Sequence, residues 1–71
     1  MSRSRDNEVV EVTLQIHHET EKAYLVSESG DKNEAVWLPK SMCERGEKAA
    51  PAIYTFDMPE WLALEKGFLF L

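Results

Sequence analysis

Val10-Glu11-Val12-Thr13-Leu14-Gln15-Ile16-His17 alternates apolar and polar residues at every step. Successive side chains of a β-strand point to opposite faces, so Val10, Val12, Leu14 and Ile16 share one face and Glu11, Thr13, Gln15 and His17 the other. A strand with one buried and one wet face is the reading, and it sets the class of the fold. Outward from it, Glu19-Thr20-Glu21 is a polar turn. Lys22 to Ser27 is a second strand, with Tyr24 and Val26 on one face and Ala23 and Leu25 on the other. Ser29-Gly30-Asp31-Lys32-Asn33 is a loop of turn formers, and a third strand runs from Glu34 to Leu38. These three strands are expected to form an antiparallel meander.

Pro39 has no N–H for a ladder, so the third strand ends there, bulges or lies on an edge. Ser41 and Glu44 have capping-box spacing, which suits one short helical turn over 41–45; continuation of the strand to Cys43 is the alternative. Gly46-Glu47-Lys48-Ala49-Ala50-Pro51 reads as a connection. Ala52 to Phe56 reads as a fourth strand from its aromatic and β-branched content. Asp57 starts a C-terminal helix over residues 58–66, with Pro59 in the first turn, where a missing N–H costs little. Gly67 suits the left-handed residue that ends a helix, and Phe68 is placed to fold back on Leu62 or Ala63.

The expectation is an α+β, mainly β, domain. It is a small four-stranded antiparallel twisted sheet, or an open SH3-like or OB-like barrel, with one short C-terminal helix. Residues 1–7 read as a flexible tail and 8–71 as a single domain. Val10, Val12, Leu14, Ile16, Leu25, Val36, Leu38, Tyr54, Phe56, Trp61 and Leu64 are the expected core. Seventy-one residues support only a marginal core. The single cysteine, Cys43, has no partner for an internal disulfide. No long apolar run is present, and the arginines near the start precede no apolar stretch. Neither a membrane anchor nor a signal peptide is expected, and the cytoplasm is the expected location.

Catalytic signals are weak. The three glycines are scattered at 30, 46 and 67, so no phosphate loop exists. His17 and His18 are adjacent and, on a regular strand, point to opposite faces, which prevents joint chelation. Cys43 and His17 lack a third orienting group. Neither a metal nor a cofactor is implied, and the chain reads as non-enzymatic.

Charge is unevenly distributed. The net charge is −5, and from Glu8 to Glu34 seven acids face only Lys22 and Lys32. Solubility alone accounts for a net charge of about 2–8 in a small domain. The imbalance disfavours direct contact with nucleic-acid phosphates. A sharper reading makes Glu11, Glu19, Glu21, Glu28, Asp31 and Glu34 an acidic face that meets Lys and Arg on a protein partner. The alternative site is Trp37, Lys40 and Ser41, a stacking platform with a cation beside it, as in barrels that bind single strands.

Three phrases carry a resemblance. They are Glu19-Thr20-Glu21-Lys22-Ala23-Tyr24-Leu25-Val26, Val36-Trp37-Leu38-Pro39-Lys40-Ser41, and Pro59-Glu60-Trp61-Leu62-Ala63-Leu64-Glu65-Lys66-Gly67. In that order they resemble a family of very small bacteriophage and prophage proteins with no established activity. Met42-Cys43 and Asp57-Met58 depart from its pattern, and no family site is carried over. The resemblance implies a phage accessory protein at work in the host cytoplasm. One kind helps replication or recombination; another inhibits host defence, as anti-CRISPR proteins do. With the acidic surplus, it implies an inhibitor that occupies the basic nucleic-acid groove of a host defence complex. The runner-up is a small barrel that binds single-stranded nucleic acid or a replication or recombination protein.

Overall fold

The alternating stretch forms β1 (Val9–Glu19), and both of its edges are paired. The computed structural model describes residues 8–69; the expected tail at 1–7 lies outside the described residues. After β1 come β2 (Ala23–Ser27), β3 (Val36–Pro39), β4 (Glu44–Ala50), β5 (Ile53–Pro59) and the helix α1 (Glu60–Glu65). Single 3-10 turns lie at Lys32–Glu34 and Lys40–Met42. The sheet is five-stranded, in the order β3-β2-β1-β5-β4, and every neighbouring pair is antiparallel. A mainly β fold with one short helix is what the sequence implied, with one strand more than expected.

That extra strand is β4, which falls where the sequence suggests the end of a turn over 41–45 and a connection over 46–51. Its residues are exposed except for the half-buried Ala50, so no hydrophobic alternation marks it. Its ladder with β5 is irregular at two points, between Arg45 and Lys48 and between Lys48 and Ala50. Gly46 is required at the first. A Cβ there would lie 2.4 Å from Thr55 Oγ1 and 3.3 Å from the Thr55 carbonyl oxygen. Thr55 Oγ1 meanwhile accepts from the Glu47 N–H at 3.1 Å. A charged, bulged outer strand resists pairing with other chains.

The outer strands β3 and β4 are joined only by residues 40–43. Five Cα steps reach at most about 18 Å, whereas the outer strands of a flat five-stranded sheet lie about 19 Å apart. The Lys40–Met42 turn shortens the reach further, so the sheet must curl. It does so without closing. Tyr24 of β2 and Phe56 of β5 meet edge-to-face across the intervening β1, with centroids 5.3 Å apart. Across the open side, the Arg45 guanidinium of β4 stands 4.8 Å from the Tyr54 ring and 5.9 Å from Tyr24.

The inner face carries the core: Val12, Leu14, Tyr24, Val26, Leu38, Phe56 and Met58, roofed by Leu62, Ala63 and Phe68. Of the expected core, Val10, Ile16, Val36 and Tyr54 are partly buried against it, and Leu25 and Leu64 are half-buried. Helix α1 begins later than the reading placed it. Asp57 belongs to β5, Pro59 is the cap position without a side-chain bond, and the Glu60 N–H donates to the Glu8 carbonyl. The helix ends as expected. Gly67 has φ +84°, its N–H reaches the Leu64 carbonyl, and the Phe68 N–H reaches Ala63 at 2.8 Å. This Schellman closure swings buried Phe68 back beneath Ala63.

Trp61 is the main correction to the expected core, because 43% of it is exposed. Leu62 and Ala63 occupy the docked face, and 100° of helical rotation per residue turns Trp61 toward solvent. Trp61→Ala is therefore expected to cost less than about 1.5 kcal/mol. A urea titration checks this; a loss of 3 kcal/mol or more, as for core tryptophans, would return the residue to the interior.

Candidate functional site

The outer face is built by register. Val12 lies opposite Phe56 on the inner face, so Glu11 lies opposite Asp57 on the outer one. Asp57 in turn lies opposite Glu44 of β4. Three carboxylates thus stand side by side on three adjacent strands, all exposed, in a row about 10 Å long. Among the described residues no Lys or Arg pairs with any of them. Like charges directly opposite one another destabilise a sheet. Along β1 the outer face passes from these acids through Thr13 and Gln15 to His18, which lies opposite Leu25 and hence beside Trp37.

The six acids singled out from sequence do not gather in one place. Glu11 belongs to the row. Glu19 projects to the inner side, where its Oε2 accepts from Lys40 Nζ at 2.6 Å and Arg45 stands 4.0 Å away. The Lys40 hydrogen bond, chiefly, holds the Glu19 carboxyl below the usual value against the opposing effect of burial. The pair is complete above the ordinary carboxylate range and is lost as pH falls through the lowered value. Glu21 is exposed in the β1–β2 turn. Glu28, Asp31 and Glu34 share the β2–β3 loop. Asp31 accepts from the Asn33 N–H at 2.9 Å, and Glu34 accepts from Ser29 Oγ at 2.7 Å. In the sequence Asp57 reads as a helix start and Glu44 as half of a capping box, so neither is assigned to a strand face. The structure puts both on strands, and the alternation that buries Phe56 and Met58 turns Asp57 outward.

Trp37, Lys40 and Ser41 are split as well. Trp37 is 46% exposed on the outer face, with the His18 ring edge-on at 6.2 Å. Lys40 lies on the inner side, 5.0 Å over the Tyr24 ring and paired with Glu19. Ser41 is exposed in the 3-10 turn after β3, so a turn replaces the continued strand. That turn spans Lys40–Met42 without a side-chain cap, however, and Glu44 and Arg45 of the expected 41–45 turn belong to β4.

The two histidines correct an expectation. A bulge falls between Ile16 and His18, and a bulge breaks strict alternation. His17 Nε2 meets Ser27 Oγ at 2.7 Å while His18 meets Trp37, so both rings stand on the outer face. Ser27, only 1% exposed, also accepts from the Gly30 N–H at 3.0 Å. Cys43 is a free, half-buried thiol that donates to the Pro39 carbonyl at 3.4 Å; burial pushes its pKa up, away from the nucleophilic thiolate. Among the described residues no group of three or more His, Cys, Asp or Glu is placed to hold a metal, and no helix is long and apolar enough to cross a membrane. Comparison of the chain with protein-family models, curated proteins and solved structures finds no match.

Proposed function

We propose that the chain is a non-enzymatic binding protein whose outer face meets a basic surface on another protein. The observation that carries this is the Glu11–Asp57–Glu44 row, three adjacent carboxylates held without a described cation at a cost to the sheet. Carboxylates so fixed complement Lys and Arg that otherwise grip phosphates. Joined to the resemblance to small phage proteins, this supports an acidic inhibitor of a host defence complex that handles nucleic acid, acting in the host cytoplasm.

The test is expression of the chain in bacteria whose CRISPR-type defence targets a test phage. Plaques are expected to return with the wild-type chain and to vanish with Glu11→Lys/Asp57→Lys. Unchanged protection of the host by every defence complex tried would defeat the reading.

A second reading keeps one observation of its own, the exposed Trp37 beside His18. If that pair stacks on single-stranded nucleic acid, Trp37→Ala loses about 1–3 kcal/mol of binding. Placement of Lys40 on the opposite face, paired with Glu19, removes the cation this reading wants nearby.

A further inference from the structure

Where β1 and β5 begin and end their pairing, an open groove of about 370 Å³ lies against the 3-10 turn after β3. Val9, Met42, Met58 and Pro59 give it apolar walls, and Glu44 and Asp57 of the acidic row line it too. Val9 is 66% exposed and Met42 36%, so apolar surface is left open to water. The volume falls at the low end of ligand pockets, about 300–1,000 Å³, room for one or two side chains. Methionines make adaptable walls for an incoming apolar group.

We propose that this groove is the anchor pocket of the acidic face. It takes one apolar side chain of a partner protein, flanked in that partner by Arg or Lys that reach Glu44 and Asp57. The inference rests on the proposed function and adds the partner's chemistry. Charge complementarity selects the occupant: a cation next to the apolar group meets the two carboxylates in the groove, and a second meets Glu11 farther along the row. Desolvated apolar anchors ringed by polar contacts are where interfaces concentrate affinity.

The experiment uses methyl-labelled methionine in the full chain and three capped five-residue peptides, followed by NMR at the Met42 and Met58 methyls that line the groove. One peptide has a leucine between two pairs of basic residues, one has serine in its place, and one keeps leucine between threonines. The basic leucine peptide is expected to shift Met42 and to bind about tenfold more tightly than the serine peptide. Met42→Ser, followed at the Met58 methyl of the same groove, should erase that difference, and exposed Met42 tolerates the change. Equal binding of the leucine and serine peptides, or a leucine advantage that survives Met42→Ser, overturns the groove and leaves the acidic face standing. Equal binding of the basic and threonine-flanked leucine peptides overturns the charged occupant and the acidic-face reading with it. No shift at Met42 with any peptide at millimolar concentration also overturns the proposal.

Discussion

Phe56→Ala is expected to lower stability by about 3–5 kcal/mol and leave the chain largely unfolded at room temperature. Phe56 is fully buried on β5, between the inner-face residue of β1 opposite it, Val12, and the Tyr24 ring. Removing the ring deletes its transfer energy and leaves a cavity that neighbours cannot fill. Leu14, Leu38 and Met58 are themselves almost fully buried and held on their own strands. It also frees Tyr24 from an edge-to-face contact that adds about 0.5–1.5 kcal/mol beyond burial. Tyr24 is the ring over which Lys40 and Arg45 sit, so the open side of the curled sheet loosens with the centre. Circular dichroism with urea titration reads the effect. A cooperative transition within 1 kcal/mol of wild type would mean that Phe56 is not the centre of this core.

The second large effect is a divergence between stability and binding. Asp57 stands between Glu11 and Glu44 with like charge on both sides. Asp57→Lys is expected to stabilise the fold by about 0.5–1 kcal/mol, because two repulsive cross-strand pairs become attractive. The same change should weaken capture of the proposed basic partner by at least a hundredfold, since a cation then faces cations. Wild-type binding should also fall as salt rises, exposed charges being screened over about 8–10 Å. Sites kept for function commonly hold a protein below its attainable stability. A variant that both melts higher and binds as before would show the row to be idle.

Sequence patterning was most legible where one side of a strand is wet and the other dry. Val10 to His17 gave β1 its face, and Gly67 with Phe68 gave α1 its ending. Glu44 to Ala50 could not be read, because both of its faces meet water and its pairing is a matter of backbone bonds to β5. Trp61 misled because a helix of six residues has too few turns to establish a phase, and hydrophobicity alone points inward. The acidic row was hidden for a related reason. Residues 11, 44 and 57 become neighbours only through two ladders, and counting charge along the chain found a surplus elsewhere.

The ladder between β1 and β5 ties Val9 to Pro59, fifty residues along. The other pairings, β1 with β2, β2 with β3 and β4 with β5, join strands consecutive in the chain. Hairpins of that kind assemble in about 1–10 μs, whereas closing a long loop carries an entropic cost before any contact rewards it. Each half exposes an unfinished apolar face until the two meet: Val12 and Leu14 on one side, Phe56 and Met58 on the other. Docking of the two halves along this seam is therefore the step expected to limit folding. A newly made chain is most vulnerable to proteases and to aggregation in the interval before β5 finds β1.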